Sequence, residues 1–270
     1  MTSLGIIGLG LMGQAFAIKL REAGFEVLGY DCDPSRCLGV NGPEEVAHRC
    51  ERILLSLPNS EVVKQVLQSL PLRAGQIILD TSTGDPADAA QLGAELRERG
   101  VMYLDATISG SSAQVLRGEV TAMVGGEEHA YKQCSDIFSS FARDTIHTGV
   151  CGTGAKMKLV TNLVLGLNRA ALAEGLAFAK EIGVSSEKAL EALTRSMAYS
   201  RIMDTKGPKM ITGDFSLQAR LSQHLKDVRL ILAASSKELP LSEAHRALLE
   251  KAEALGFGDL DNSAILRAYD

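Results

Sequence analysis

Three sets of residues in this chain have the types and spacing to do chemistry. Lys158 and Asn162 stand four residues apart in a helical pattern, so they share one helix face. An ammonium beside a substrate oxygen can give or take a proton, and an amide one turn on can orient the substrate or the lysine. An ordinary lysine, with a pKa near ~10.4, is a poor base at neutral pH, so burial or a nearby cation must lower it. Spacing alone leaves a plainer account open: a solvated helix lysine and a surface amide. The second set is Gly8, Gly10 and Gly13, spaced G-x-G-x-x-G between a short apolar run and an amphipathic stretch. Gly8 permits a tight strand-to-helix turn, Gly10 lets a pyrophosphate approach the backbone, and Gly13 lets helix and strand pack closely. The phosphates then meet backbone N–H groups at the positive end of the helix dipole.

A second apolar run, 25–30, ends at Asp31, close to where a carboxylate would bond the adenosine ribose of a dinucleotide. Its charge repels a 2′-phosphate and Asp33 adds to it, with Arg36 the only close basic residue to offset them. NAD is therefore expected over NADP, the alternative being that Asp31 and Asp33 only cap the turn. A third candidate is Asp105-Ala106-Thr107-Ile108-Ser109-Gly110-Ser111-Ser112, read as a loop directly after a strand. Small hydroxyl residues around a glycine expose backbone N–H groups that can hold a carboxylate or phosphate. A flexible polar loop has the same spacing. Leu57-Pro58 and Ser82-Thr83 close other apolar runs, and taken singly they read as turn residues.

The elements that must position these residues follow from periodicity. Up to residue 149, apolar runs of strand length at 4–7, 25–30, 53–57, 76–79, 101–104 and 121–124 alternate with helical patterns such as 14–22, 61–70 and 88–99. That alternation predicts βαβ units and a parallel, doubly wound sheet, whose ligands bind at the carboxyl ends of the strands. A glycine-rich hinge at 149–154 ends the strand signals. Beyond it, helical patterns cover 155–182, 186–197, 217–237 and 242–255, with Gly183 placed as a C-cap. The expected fold is α/β: a nucleotide-binding Rossmann-type domain over residues 1–151, then an all-helical domain over 152–270, joined through the long helix.

Composition narrows the function. A length of 270 residues allows one large domain or two ordinary ones. The net charge of −5 argues against a nucleic-acid footprint, which needs clustered Lys and Arg. The longest apolar region, 159–179, is interrupted by Asn162, Asn168, Arg169 and Glu174, which suits a buried helix better than a membrane span. Apolar residues on more than one face of it imply quaternary burial, so a homodimer or homotetramer is expected. The chain opens directly on the glycine-turn strand, without the pattern of a signal peptide. Five cysteines, odd in number and without C-x-x-C spacing, suggest neither a disulfide framework nor a zinc site, so a cytoplasmic location is expected. His48, His129, His147, His224 and His245 also lack metal-ligand spacing, and no metal is expected.

Together these segments resemble the β-hydroxyacid dehydrogenase family, which includes 3-hydroxyisobutyrate dehydrogenase and tartronate semialdehyde reductase, over nearly the whole chain. The family's G-L-G-x-M-G is matched by residues 8–13, and its G-x-G-x-x-x-K-x-x-x-N by Gly152, Gly154, Lys158 and Asn162. Its K-D-L-x-L-A stands here as Lys226-Asp227-Val228-Arg229-Leu230-Ile231-Leu232-Ala233. Its D-A-P-V-S-G-G, followed by G-x-L and M-V-G-G, corresponds to residues 105–111, 118–120 and 123–126.

The resemblance implies an NAD(P)-dependent oxidoreductase that moves hydride between a nicotinamide cofactor and a small β-hydroxy acid or its semialdehyde. It implies Lys158 as the catalytic acid/base with Asn162 beside it, and Ser109, Gly110 and Ser111 as holders of a substrate carboxylate. Gly8, Gly10, Leu11, Met12, Gly13, Asp31, Leu57, Pro58 and Thr83 would contact the cofactor, with Lys226 closing over it from the helical domain. The departures are Thr107 for the family's Pro, Ser111 for its second Gly, and residues 112–115; they are expected to reshape the carboxylate nest and leave the acid unidentified. The rivals are a catalytically silent nucleotide-sensing scaffold, which would lose the lysine, and relatives such as an imine reductase or a 6-phosphogluconate dehydrogenase. The intact Lys158 and Asn162 disfavour the imine reductase, and the short helical domain disfavours the 6-phosphogluconate dehydrogenase.

Overall fold

The computed structural model describes residues 3–270. Among them the strands are β1 (Ser3–Ile7), β2 (Glu26–Tyr30), β3 (Arg52–Leu55), β4 (Ile77–Asp80), β5 (Met102–Ser109), β6 (Val120–Gly125) and β7 (Ala142–Gly149). They form one sheet in the order β2-β1-β3-β4-β5-β6-β7. The helices of this part are α1 (Leu11–Glu22), α2 (Pro43–Arg49), α3 (Ser60–Ser69), α4 (Pro86–Glu98), α5 (Ser112–Leu116), α6 (Glu128–Gln133) and α7 (Ser135–Phe141). The central strands β1, β3 and β4 are buried on both faces, and their successive apolar residues point to opposite faces in turn. Leu4, Ile6, Leu54, Ile77, Leu79 and Leu104 pack with Phe16 and Leu20 of α1 and with Phe138 and Phe141 of α7. Ile7, Ile53, Leu55 and Ile78 pack with Val46 of α2, Val63 and Leu67 of α3, and Leu92 and Leu96 of α4.

The helix starts are set by local chemistry. Asn59 caps α3 through a bond from the Val62 N–H at 3.0 Å. Asp85 caps α4 through the Ala87 N–H at 2.7 Å, with Pro86 at the first helical position.

The register aligns the strand ends. Ile7 pairs with Tyr30 and Leu55, Leu55 with Asp80, and Asp80 with Asp105. Gly8, Asp31, Ser56 and Thr81 therefore leave the sheet at one edge. β5 continues four residues past that edge to Ser109, a projection of about 13 Å at the usual rise per residue. Here the sequence expectation is corrected, because residues 105–109 are strand and not loop. The pairing of β5 with β6 also departs from the expected parallel sheet: it is antiparallel, whereas β6 and β7 are parallel. The segment between Ser109 and Val120 is too short for a right-handed crossover, which takes a dozen or more residues, so the chain must turn back.

The chain divides into two compact units, one ending at Lys158 and the other running Leu159–Asp270. The 29-residue helix α8 (Thr153–Glu181) begins in the first and continues in the second. It ends before Gly183, whose φ of +80° serves the turn that stops it. The second unit contains α9 (Ser186–Arg195), α10 (Ile202–Thr212), α11 (Leu221–Ala234) and α12 (Pro240–Ala252). Its apolar interior joins Leu172 and Leu176 of α8 to Met210, Leu225, Leu249 and Ile265. Its polar interior holds an ion pair between Lys206 and Asp261 at 2.8 Å and the fully enclosed guanidinium of Arg169.

Candidate active site

The glycine turn at the end of β1 has the geometry its spacing demands. Gly8 has φ +93°, and a Cβ there would collide with the Ser56 carbonyl oxygen. A Cβ at Gly13 would collide with the carbonyl oxygen of Gly8, so the close packing of α1 on the turn admits only glycine. A Cβ at Gly10 would meet nothing within 4 Å. That open approach to backbone N–H groups at the start of a 12-residue helix fits a pyrophosphate. Leu11, at the first turn of α1, is 63% exposed, and Met12 is half-buried beside it.

Asp31 follows β2 and is almost wholly buried. Its Oδ2 accepts the Leu9 N–H at 2.7 Å and its Oδ1 the Asp33 N–H at 2.9 Å. The carboxylate thus ties the glycine turn to the next strand end. Arg36 lies 3.1 Å from Asp33 and 3.9 Å from Asp31. On β3 and β4 the same edge is joined by the Leu57 N–H, which donates to Ser82 Oγ at 2.9 Å. That bond ties the residue before Pro58 to the residue before Thr83.

Lys158 lies one turn into α8, and its Nζ donates to the Ile108 carbonyl at 2.7 Å. Ile108 is the residue before Ser109 and Gly110, so the ammonium and the tip of β5 meet within the first unit. Gly110 has φ +145°, where a side chain would also strike Val120. Ser111 caps α5: its N–H donates to Gln114 Oε1 at 2.9 Å and its hydroxyl meets Gln114 as well. Thr107, expected to reshape the carboxylate nest, is buried, and its hydroxyl donates to the Gly154 carbonyl at 2.9 Å. Its polarity is spent on the start of α8.

Sequence reasoning named Asp105 only as the first residue of the 105–112 segment and assigned no role to Asp80, Tyr103 or Cys151. Asp105 is 2% exposed and accepts the N–H of Gly152 at 2.9 Å and of Ala155 at 2.7 Å. Burial pushes its carboxyl above the ordinary range, and those two N–H bonds oppose the push. Asp80 accepts the Tyr103 hydroxyl at 2.6 Å and the Ser82 N–H at 2.9 Å; burial raises its carboxyl, and burial followed by Asp80 raises the Tyr103 phenol. Burial, and then Asp105, pushes the Cys151 thiol up to about 12, which leaves it an unreactive thiol at neutral pH. In the second unit, Asn162 is 5% exposed and donates to Asp227 Oδ2 at 2.9 Å. Lys226 lies 3.7 Å from the other oxygen of Asp227. The signal for Asp227 was its place in the K-D-L-x-L-A segment, and that for Asp105 its place at the aligned strand end.

Comparison with known proteins fits this arrangement. Residues 3–149 match the model of the NAD binding domain of 6-phosphogluconate dehydrogenase. Residues 152–269 match that of the NAD-binding of NADP-dependent 3-hydroxyisobutyrate dehydrogenase. The chain belongs to the β-hydroxyacid dehydrogenase family. It is 30% identical to L-threonate dehydrogenase of Cupriavidus necator, covering 99% of this chain and 96% of that one. It is 29% identical to 2-hydroxy-3-oxopropionate reductase of Escherichia coli, covering 99% and 97%. A 3-hydroxyisobutyrate dehydrogenase crystal structure from Salmonella typhimurium superposes with a TM-score of 0.90 at 25% identity, over 99% of both chains. The chain is therefore a nicotinamide-dependent oxidoreductase acting on the CH–OH group of a small hydroxy acid or on its carbonyl counterpart.

Proposed function

We propose that the enzyme uses NAD and a small acid bearing both a carboxylate and a β-hydroxyl or aldehyde group, with Lys158 moving the hydroxyl proton. The observation that supports this best is the 2.7 Å bond from Lys158 Nζ to the Ile108 carbonyl, which sets the ammonium beside Ser109 and Gly110. A substrate carboxylate on those two residues would present its hydroxyl carbon to the lysine. Ser111, engaged with Gln114, would contribute chiefly by holding the turn. Gly8, Gly10, Leu11, Met12 and Gly13 would hold the dinucleotide phosphates, Asp31 the adenosine ribose, and Leu57, Pro58 and Thr83 the chain between. Asn162, one helical turn after Lys158 on α8, is held by Asp227, and the family motif gives Lys226 a cofactor contact. A nicotinamide held by these residues would supply the hydride chemistry. In reduction Lys158 gives its proton to the developing alkoxide; in oxidation its neutral form takes the proton back.

Exposed apolar residues along α8, among them Val160, Val164 and Phe178, support a homodimer or homotetramer. The five free cysteines suit the cytoplasm. Steady-state assays of the wild-type protein with NADH against three- and four-carbon semialdehydes, and with NAD against the matching hydroxy acids, test the reading. Turnover of at least one acid and none of its amide analogue is expected. Equal turnover of acid and amide would overturn the carboxylate assignment.

A further inference from the structure

We propose that Asp105 is a positioning residue: from β5 it caps the first turn of α8 with both carboxylate oxygens and so fixes where the Lys158 ammonium stands. This rests on the reading of Lys158 as the acid/base. The first N–H groups of any helix lack partners within the helix, and a residue just before it normally supplies one. Here the acceptor comes from a strand 47 and 50 residues earlier in the chain, with Gly152 N–H on Oδ1 and Ala155 N–H on Oδ2. A carboxylate at the positive end of a helix, bonded to two N–H groups, makes a charge-assisted contact stronger than a neutral one.

Two more ties run between the same strand and the same helix turn. The Thr107 hydroxyl donates to the Gly154 carbonyl, and Lys158 Nζ donates to the Ile108 carbonyl. Residues 105, 107 and 108 of β5 thus hold residues 152, 154, 155 and 158. The approach is so close that side chains are excluded at both contact points. A Cβ on Gly154 would strike the Asp105 carbonyl oxygen, and one on Gly125 would strike the Asp105 carboxylate. The clamp thereby explains these glycines of the G-x-G and M-V-G-G segments. Ala155 lies one helical turn before Lys158, so freedom at the cap is passed directly to the ammonium. A displacement of about 1 Å at a reacting group can cost on the order of a hundredfold in rate.

The test is Asp105→Asn, which keeps the side-chain volume but turns one acceptor into a donor facing an N–H. Three quantities are measured on the full-length protein: kcat with the best substrate, NADH affinity by fluorescence titration, and amide exchange of the peptide covering residues 152–158. Expected are a kcat lower by roughly ten- to a hundredfold, NADH affinity within about threefold of wild type, and clearly faster exchange at 152–158. A purely structural role would lower kcat, NADH affinity and melting temperature together, and that result overturns the proposal. Unchanged kcat or unchanged exchange also overturns it. Thr107→Val, which removes only the hydroxyl, is the second variant. It should move kcat and exchange the same way by less, and it decides the matter if Asp105→Asn does not fold. A wild-type protein without turnover on any acid would sink the dehydrogenase reading, and the exchange measurement alone would then judge the clamp.

Discussion

Acid should weaken the helical unit through one buried ring. His245 on α12 is 2% exposed, with its ring centre 5.2 Å from that of His224 and tilted to it by 47°, and packed so closely on Gly166 that a Cβ there would lie 2.6 Å from its ring. Its Nε2 has no hydrogen-bond partner among the described residues. Burial first, and then the nearby charge of Arg169, hold its pKa down to about 4 from 6.5. Arg169 is itself lowered by burial to about 10, opposed by Asp261 and Asp227, so it remains a cation beside the ring. Because the folded pKa lies below the unfolded one, the unfolded chain takes up the proton first as pH falls. Stability is therefore complete above 6.5 and is lost between 6.5 and about 4. The loss works out at about 2 kcal/mol near pH ~5 and about 3 kcal/mol once pH reaches ~4.

Urea titrations of wild type and His245→Leu across that range, followed by circular dichroism, measure it. Hydrogen exchange of peptides from α11 and α12 assigns the transition to this unit. Comparing the pH dependence of the two proteins cancels the change in packing and the remaining histidines. The wild type should lose about 2 kcal/mol more than the variant between neutral pH and about pH 5. Parallel pH curves would refute the reasoning.

Three further outcomes follow from the same geometry. Gly10→Ala should fold with an unchanged melting temperature yet lose NADH affinity by at least about tenfold, because its Cβ enters only the space open to the phosphates; Gly13→Ala, meeting the Gly8 carbonyl oxygen, should lose both stability and binding. Asp31 should make kcat/KM higher with NADH than with NADPH, and a preference for NADPH would remove its assigned role. Ser109→Ala should raise KM for the acid by about ten- to a hundredfold, the worth of one hydrogen bond to a charged group at roughly 1.5–3 kcal/mol, while NADH affinity stays put.

The parts of the site that depend on neighbouring residues were legible in the sequence. Each glycine of the 8–13 turn carries its reason in the backbone, and Lys158 and Asn162 share a face because helices repeat. What was hidden depends on partners far along the chain. Asp105 meets residues 47 and 50 positions later, and Asn162 meets Asp227 across 65. β5 was read short because Asp105, Thr107 and Ser109 are polar, and a polar residue fits a buried strand only when a distant group satisfies it. β7 was missed because Arg143, Asp144 and His147 give it the polarity of an exposed edge. α10 was missed because Gly207 and Pro208 stand inside it.

The most direct test of the central claim is Lys158→Met, measured for both kcat and NADH binding. A positioned acid/base contributes typically ~10²–10⁴-fold, so kcat should fall by at least about a hundredfold. Folding should be retained, and NADH affinity should stay near wild type, because the glycine turn follows β1 and Asp31 follows β2, whereas Lys158 is on α8. A variant that turns over at near wild-type kcat would contradict the account.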